Sequence, residues 1–405
     1  MRMKRFFRMI LLLTAAVLLT ALSASAEDAL SFLPLKNGSK GQEVLELKKR
    51  LKELGYYQSG EFTKRYTEDT DEKIREFQRT NSLPVTGETD EVTWTLLFSD
   101  QALKAVKPTL PPLATPAPTP VPDWPERDPD GYLADGEEYF FEDDEAGLWI
   151  YLGKDLQIVI THREDSSIPL EWFETEIWTR NGEAFRTAAT DPEHPGRKFQ
   201  YPDVISRNEK FVLGFSDDFY GNRMAEKETV GIIIRNGQIF SQKTNRKTGH
   251  HLPNLDMMAQ FPDGRLEVYP CNAHTAEELL EMGAVNVFSF GPILLKDGEI
   301  NDLVYTYYKS IEPRHALGMI APGHYFLLSV QGRRPDSRGT TLQRMAEIMN
   351  AHGVQQALNL DGGNTMALVF RGRMLNKMAV YKNKSFVRTM TSLIGIGYTE
   401  NQAEE

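Results

Sequence analysis

Cysteine is nearly absent from this chain. Cys271 is the single cysteine among 405 residues, so no internal disulfide can form and folding must depend on packed hydrophobic cores. The usual zinc patterns are missing as well, because neither a His-Glu-x-x-His run nor a Cys-x-x-Cys run occurs. His250 and His251 are directly adjacent in sequence and do not form such a motif. These absences exclude a disulfide framework and leave no zinc motif.

Basic residues are outnumbered by acidic ones. The chain has 46 lysines and arginines against 57 aspartates and glutamates, which gives a net charge of -11. Nucleic acids attract basic surfaces, so we expect no nucleic-acid partner. Any recognition of phosphate must therefore come from a few well-placed arginines.

Long apolar runs are missing beyond the first residues. Met9 to Leu22 is an apolar run of 14 residues, shorter than the ~20 residues that a membrane-spanning helix needs. Basic residues precede it, and Ala24-Ser25-Ala26 follows as a cleavage signal. The pattern predicts a signal peptide over residues 1–26 and a secreted, extracytoplasmic protein associated with the cell wall. An uncleaved membrane anchor is the alternative.

Proline is concentrated in one stretch. Eight of the 18 residues from Pro108 to Pro125 are proline, which predicts a linker over residues 101–130. In polyproline geometry, at ~3.1 Å per residue, the 18 residues from Pro108 to Pro125 are a spacer of roughly 50 Å. An ordered strap lying across a domain is the alternative. The linker separates a small module, residues 32–100, from a larger domain, residues 131–400.

The small module has the apolar spacing of short helices. Val44, Leu47, Leu51 and Leu54 recur at helical intervals, and Gly55 follows as a stop. Two further helices are predicted, and the landmarks resemble the peptidoglycan-binding module of cell-wall enzymes: Gly38 to Gly41, Leu54 to Tyr56, Phe62, Thr67, Phe77-Gln78, Leu83, Thr86-Gly87 and Thr93-Trp94. The resemblance implies binding to peptidoglycan or another cell-wall glycan. Lys48 stands near the position where this family usually has glutamine, and a purely structural three-helix bundle is the alternative.

The larger domain is rich in strand and hairpin signals. Asn236-Gly237, Asp297-Gly298 and Arg371-Gly372 each separate two apolar runs, as β-hairpin turns do. Helices are fewer: Thr275 and Glu278 form a capping-box pattern, and Thr341 to His352 carries an apolar stripe. We expect an α+β fold with mixed sheets.

An aspartate and two glycines follow the clearest buried strand. Gln356 to Leu360 is apolar, and Asp361-Gly362-Gly363 comes next. Glycines allow a sharp turn and close approach to a ligand, and a carboxylate at a strand end suits a general acid or base. A plain turn is the alternative interpretation of the triplet taken alone.

Two arginine-bearing loops complete the pattern. Arg314 precedes an apolar strand, and Arg333 begins a loop that ends near Thr341. The planar guanidinium suits bidentate contact with phosphate. An ion pair between Arg314 and Glu312 is the alternative, and Thr340 or Thr341 also suits a helix cap.

The order and spacing of these segments, together with Phe290-Gly291-Pro292 at the expected site wall, resemble the phosphodiester glycosidase family over residues 132–398. The resemblance implies a hydrolase acting on a phosphorylated sugar or polysaccharide, with Asp361, Asp218 and Asp217 as candidate catalytic residues. The substrate-binding residues that it implies are Arg314, Arg333, Ser337, Gly339, Gly362, Gly363, Asn364, Thr365 and Ser216.

One landmark departs from the family. Ser216 and Asp217 stand where the family usually has asparagine and glycine, and Asn364-Thr365 stand where it often has glycine and serine. The expected reaction is hydrolysis of an N-acetylglucosamine phosphodiester at the anomeric bond. Two alternatives stay open: a non-catalytic glycan-binding protein on the same fold, and a phosphodiesterase that uses a calcium or magnesium ion held by Asp217, Asp218 and Asp361. The aspartate pair also fits a solvated turn.

Overall fold

The computed structural model describes residues 34–57, 62–105, 110, 113, 123–165, 167–180, 182–191, 193, 198–217, 231–243, 255–271, 273–306, 309–381, 384–385 and 387–403. The signal-peptide prediction, most of the spacer, His250, His251 and Asp218 lie outside these residues. The chain divides into two compact units, Met1–Lys107 and Pro108–Glu405.

In the described part of the first unit there are three helices: α1 (Gln42–Glu53), α2 (Glu68–Thr80) and α3 (Glu91–Leu97). Val44, Leu47 and Leu51 are fully buried on one face of α1, as their spacing predicts. Gly55 follows with a φ of 83°, a left-handed conformation that favours glycine after a helix. Lys48 is also buried, and its ammonium donates to the Arg65 carbonyl at 2.7 Å, so it joins two segments of the module.

A nine-stranded sheet is the centre of the second unit. Numbered along the chain, its strands lie in the order β1 (Tyr139–Asp143), β2 (Leu148–Leu152), β3 (Leu156–Asp165), β4 (Leu170–Thr179), β15 (His324–Val330), β14 (Arg314–Ala321), β16 (Gln356–Leu360), β12 (Ile293–Lys296) and β13 (Glu299–Ile300). The strand that leads to Asp361 is therefore interior, between β14 and β12.

The other described strands form two five-stranded sheets and a short pair, β19 (Val380–Tyr381) and β20 (Lys384–Ser385). The second sheet has the order β10 (Leu266–Tyr269), β9 (Asp256–Gln260), β11 (Asn286–Phe290), β7 (Gly231–Arg235) and β8 (Gln238–Lys243). The third has the order β18 (Arg373–Met374), β17 (Leu368–Phe370), β6 (Leu213–Phe215), β21 (Ser392–Ile396) and β5 (Arg186–Ala189).

The main hydrophobic core lies where the three sheets meet. One cluster of buried side chains includes Leu317 and Leu358 of the large sheet, Phe288 of the second and Phe215 and Ile394 of the third. Burial of such side chains is the main force that holds the sheets together, at roughly 25 cal/mol per Å² of apolar surface.

Helices cover the outer faces of these sheets: α4 (Pro202–Glu209), α5 (Ala276–Glu281), α6 (Leu303–Thr306) and α7 (Leu342–Ala351). Leu342, Met345 and Met349 of α7 pack on the face of the large sheet opposite the main core. Thr341 accepts a hydrogen bond from the Arg344 amide and caps this helix.

The expected local signals are present. Asn236, Asp297 and Arg371 all have positive φ values and are each followed by a glycine with positive φ, as type I′ hairpin turns require. Thr275 and Glu278 form the predicted capping box before α5. The α+β class is confirmed, but every strand pairing within the described residues is antiparallel, so the expectation of mixed sheets is wrong.

Candidate functional site

Asp361 lies at the end of β16, where the chain makes a tight turn. Its side chain is buried, and its amide donates to the Asp217 carbonyl at 3.2 Å. A Cβ added at Gly362 would lie 2.5 Å from the Pro313 carbonyl oxygen, and Gly363 has a φ of 61°. Both glycines are therefore needed here, and they begin a short 3-10 helix, Gly363–Thr365.

Asp217 is fully buried, so its interpretation as a solvated turn is wrong. The Ser392 hydroxyl donates to its carboxylate, and Nη2 of Arg235 lies 3.8 Å from Oδ2 of the same carboxylate. Burial lowers the pKa of Arg235 to about 10, against the opposing effect of Asp217, so the guanidinium stays charged at neutral pH. Asp217 is thus one half of a buried ion pair that joins β6, β7 and β21.

Arg235 has two further contacts that fix its position. Its guanidinium donates to the Val287 carbonyl at 3.1 Å and lies over the Phe288 ring at 5.2 Å. Neither Arg235 nor Ser392 was predicted from the sequence. An arginine at the end of an otherwise apolar strand, Gly231–Arg235, was the available signal.

Ser216 holds the turn that follows Asp361. Its hydroxyl donates to the Thr365 carbonyl at 3.0 Å and accepts from the Ala367 amide at 2.7 Å. The residue is fully buried. The buried hydroxyl of Ser216 therefore positions this turn, and the direct substrate contact that the resemblance implied stays a prediction.

Arg333 lies beside the glycine turn. Its Nε donates to Glu312 at 2.8 Å, and its Nη1 donates to the Asn364 side chain. The guanidinium is within 3.6 Å of a Cβ position on Gly363. Arg333, Gly363 and Asn364 thus form one group.

Arg314 is held by other partners. Its guanidinium donates to the carbonyl and hydroxyl of Ser310, at 2.9 and 3.0 Å, and to the Thr340 carbonyl at 3.4 Å. The proposed alternative partner, Glu312, is paired with Arg333 instead. Arg314 therefore braces the loop before α7.

Ser337 and Gly339 stabilise the same loop. The buried Ser337 hydroxyl donates to the Gln331 carbonyl at 2.7 Å and accepts from the Glu171 amide at 3.0 Å. Gly339 has a φ of 102°, and an added Cβ would lie 2.4 Å from the Glu312 carbonyl. Their roles in this structure are internal to the fold.

A small pocket opens beside the glycine turn. Its described lining residues include Gly363, Asn364 and Thr365, together with Lys377 and Arg388. The Nη1 of Arg388 donates to the Thr365 hydroxyl at 3.2 Å. Sequence reasoning missed both cations, although basic residues recur between positions 377 and 388.

The region of Phe290-Gly291-Pro292 is tied to the strand that carries Asp361. The Gly291 amide donates to the Asn359 carbonyl at 3.0 Å, and the Asn359 side chain donates to the Gly291 carbonyl at 2.9 Å. Oδ2 of the Asp256 carboxylate accepts from the Ile293 amide at 3.0 Å. These contacts hold the segment against β16.

No group of three or more histidine, cysteine, aspartate or glutamate side chains suited to a metal ion is present in the part of the chain that the structure describes. A calcium or magnesium ion shared by Asp217, Asp218 and Asp361 stays a prediction, since Asp218 lies outside that part. Among the same described residues, no helix is long and apolar enough to cross a membrane.

Two family models match this chain. Residues 209–396 match the phosphodiester glycosidase model, and residues 40–97 match the model described as "Putative peptidoglycan binding domain". A relative from Bacillus subtilis (strain 168), the SPbeta prophage-derived uncharacterized protein YomE, is 28% identical over 167 residues, or 40% of this chain. The chain spans a quarter of the length of that relative, since the match covers 25% of it.

Solved structures are also similar. The catalytic domain of zebrafish N-acetylglucosamine-1-phosphodiester alpha-N-acetylglucosaminidase has 19% identity and a TM-score of 0.47, over 60% of this chain and 83% of that one. A hypothetical protein from Synechocystis has 13% identity and a TM-score of 0.42, over 60% of this chain and 62% of that one. On the two family models, this chain combines a peptidoglycan-binding domain at residues 40–97 with a phosphodiester glycosidase domain at residues 209–396.

Proposed function

We propose that the chain hydrolyses the bond between the anomeric carbon of N-acetylglucosamine and a phosphodiester. The observation that carries the proposal is the junction of Asp361 with the turn Gly363–Thr365, which lines a pocket whose charged residues, among those described, are Lys377 and Arg388. A carboxyl group and a positive pocket thus lie within a few residues of each other. A glycosidic phosphodiester needs both: a proton donor or acceptor at the anomeric centre and cations at the phosphate.

Asp361 is the proposed acid or base. It is buried at the end of an interior strand, and the amide contact to Asp217 fixes its backbone. In glycoside hydrolysis a carboxyl group protonates the leaving oxygen or activates water. Asp217 is a positioning residue in this scheme, because its carboxylate is held by Arg235 and Ser392.

The peptidoglycan-binding domain supports a place at the cell wall. We propose that residues 1–26 direct export and that residues 40–97 then hold the mature chain on peptidoglycan. The substrate is on this basis a phosphorylated sugar or polysaccharide of the cell envelope. The hydrolase domain would then work at a high local concentration of substrate, as tethering generally provides.

A non-catalytic glycan-binding protein is the second candidate. Ser216 and Asp217 favour it, because they occupy the positions of the family's asparagine and glycine and both are engaged inside the protein. A buried ion pair at this position stabilises a fixed pocket without supplying a group that reacts. Binding without turnover is the expected behaviour of such a protein.

The deciding experiment compares wild type with Asp361→Asn on a phosphodiester of N-acetylglucosamine. Free sugar and sugar phosphate are measured separately, with and without added calcium or magnesium. Asparagine keeps the shape of the side chain but cannot donate or accept the proton, so we expect a rate loss of ~10²–10⁴-fold with binding largely retained. Asp130→Asn, the same change at an exposed aspartate, is the control and should keep full activity.

Each of the other outcomes would assign a different function to this chain. If the wild-type protein binds the phosphodiester but releases neither free sugar nor sugar phosphate, the chain is a non-catalytic glycan-binding protein. Release of sugar phosphate that requires the added metal identifies a metal-dependent phosphodiesterase. Equal activity of wild type and Asp361→Asn removes Asp361 as the catalytic residue.

A further inference from the structure

An open cleft lies between the edges of two sheets in the second unit. Its volume is about 630 Å³, within the range of ~300–1,000 Å³ that is usual for ligand-binding sites. One wall is formed by β1, the edge strand of the large sheet, and another by the hairpin of β17 and β18 at the edge of the third sheet. The described residues that line the cleft include Glu142, Asp144, Arg371, Arg373, Asn401 and Ala403.

The cleft is separate from the pocket beside the glycine turn. Arg373 lines the cleft, whereas Met374, the next residue of β18, lines the pocket. Successive side chains of a strand point to opposite faces, so the cleft and the pocket lie on opposite faces of one hairpin. Among the residues that the structure describes, none lines both. The cleft is therefore a second candidate site, with its own side chains.

The charged side chains of the cleft form one compensated network. Nη1 of Arg371 donates to Oε1 of Glu142 at 2.7 Å, and Nη2 of Arg373 donates to Oε2 of Glu142 at 2.9 Å. Arg373 also donates to both oxygens of Asp144, at 2.7 and 2.9 Å. Two guanidinium groups and two carboxylates leave the described lining residues without net charge. Such a cleft attracts neither an anion nor a cation and favours a neutral ligand.

The network keeps hydrogen-bonding capacity for a ligand. A guanidinium has five N–H groups, and the hydrogen bonds of Arg373 to Asp144 and Glu142 use three of them, which leaves two. Arg371 uses two, one to Glu142 and one to the Asn401 carbonyl, which leaves three. Each oxygen of Glu142 accepts one of these hydrogen bonds, and a carboxylate oxygen can accept two. Donors and acceptors for a ligand therefore lie side by side in the cleft.

Contacts below the cleft hold these side chains in position. The Arg371 guanidinium lies over the Phe140 ring at 4.0 Å, and the indole N–H of Trp149 donates to Oδ1 of Asp144 at 2.9 Å. The Ala403 amide donates to the Arg371 carbonyl at 2.8 Å and fixes the third wall. Side chains that are already ordered lose little conformational freedom when a ligand binds, which favours affinity.

An uncharged saccharide fits this chemistry. Each hydroxyl group both donates and accepts a hydrogen bond, and neighbouring hydroxyls on a sugar ring can meet the planar edge of a guanidinium or a carboxylate as a pair. The saccharide brings no charge that the compensated cleft would have to balance. A cell-wall peptide, in contrast, has free carboxylates, for which the cleft offers no uncompensated cation.

We propose that this cleft binds an uncharged stretch of cell-wall glycan through the N–H groups of Arg373 and the carboxylates of Glu142 and Asp144. The choice of N-acetylglucosamine as the sugar rests on the proposed function. The cleft holds the polymer on the hydrolase domain and takes no part in bond cleavage. Its walls come partly from outside residues 209–396, which match the phosphodiester glycosidase model.

The experiment measures binding of a β-1,4-linked tetrasaccharide of N-acetylglucosamine to the full chain by calorimetry. Ala403→Trp should abolish binding at the cleft, because the indole fills it, whereas Ala403→Ser should bind as wild type. Arg373→Gln should lower the affinity by roughly tenfold to a hundredfold, as loss of charge-assisted hydrogen bonds does. Arg265→Gln is the matched control, since Arg265 is likewise paired with two carboxylates, Asp263 and Glu267, and it should bind as wild type.

Tetrasaccharide that residues 40–97 bind is the binding that Ala403→Trp retains, so the difference from wild type isolates the cleft. Arg373→Lys guards against a folding artefact, because it keeps the charge; it should bind more tightly than Arg373→Gln and less tightly than wild type. The inference is overturned if Ala403→Trp binds as much tetrasaccharide as wild type, or if Arg373→Gln and Arg265→Gln lose equally. It is also overturned if a peptidoglycan stem peptide, in place of the tetrasaccharide, requires Arg373.

The outcome is separable from that of the proposed reaction. Tetrasaccharide binding that depends on Arg373, in a protein that releases no sugar from the phosphodiester, refutes the hydrolase and retains the cleft. Release of sugar, with tetrasaccharide binding that Ala403→Trp leaves unchanged, retains the hydrolase and refutes the cleft. If both hold, Ala403→Trp should hydrolyse a small phosphodiester at the wild-type rate, because the cleft and the pocket share no described residue.

Discussion

The buried pair of Arg235 and Asp217 provides the sharpest test of how the site is held together. At 3.8 Å, with an effective dielectric constant of ~20, the attraction between the two charges is about 4 kcal/mol. Arg235→Met removes the cation and leaves the Asp217 carboxylate buried without it. Breaking a buried pair in this way lowers the free energy of unfolding by roughly 3–5 kcal/mol.

Asp217→Asn should have a similar effect, because it leaves the Arg235 guanidinium buried beside a neutral amide. The double variant, Arg235→Met with Asp217→Asn, removes both charges and should be destabilised by much less than the sum of the single variants. We therefore expect a coupling energy of about 2–4 kcal/mol. In a domain of this size each kcal/mol lowers the melting temperature by ~2–4 °C.

The assay is denaturant unfolding of residues 108–405, followed by tryptophan fluorescence and circular dichroism. The matched control is the exposed pair of Arg265 and Asp263, whose Nε and Oδ2 atoms are 2.6 Å apart. A double-mutant cycle on this control pair uses Arg265→Met, Asp263→Asn and the double variant. It should give a coupling energy below about 1 kcal/mol, because water screens the two exposed charges. Additive effects at Arg235 and Asp217, within about 0.5 kcal/mol, would refute the view that this ion pair joins the sheets.

Two further predictions concern other parts of the molecule. Residues 27–106 expressed alone should pellet with purified peptidoglycan, and residues 127–405 should pellet much less; equal retention of the two fragments would contradict the tethering role. Burial lowers the pKa of His315 to about 3. The imidazole therefore binds a proton more strongly in the unfolded chain than in the folded one. As the pH drops from ~6.5 towards 3, the free energy of unfolding should fall by about 1.4 kcal/mol per pH unit. His315→Asn should flatten this pH dependence, and an unchanged slope would show that another group is responsible.

The parts of the fold that the sequence predicted are those set by neighbouring residues. Asn236-Gly237 and Asp297-Gly298 specify their turns, and Thr275 and Thr341 mark their helix starts, because the backbone conformation or cap is decided within a few residues. The glycine turn after Asp361 is of the same kind. Such features depend little on where the rest of the chain lies.

The parts that were missed depend on how distant segments meet. Asp217 was a candidate catalytic residue, with a solvated turn as the alternative, and neither interpretation pointed to its ion pair with the distant Arg235. Arg388 reaches Thr365 across 23 positions of sequence, and no local pattern marks that contact. The same holds for Arg314, whose local sequence suited phosphate binding but whose side chain contacts Ser310 and Thr340.

Ser392 has a consequence for the order in which the site can form. It lies on β21 (Ser392–Ile396), which pairs with β6 and places the hydroxyl against Asp217. Arg388 comes just before the same strand. A ribosome must therefore synthesise the chain as far as Arg388 and Ser392 before this carboxylate gains its serine partner and the pocket its arginine. A nascent chain that stops before Arg388, or a chain that a protease has cut there, has Asp361 and the glycine turn but an unfinished site, so this architecture delays any activity until β21 has been synthesised.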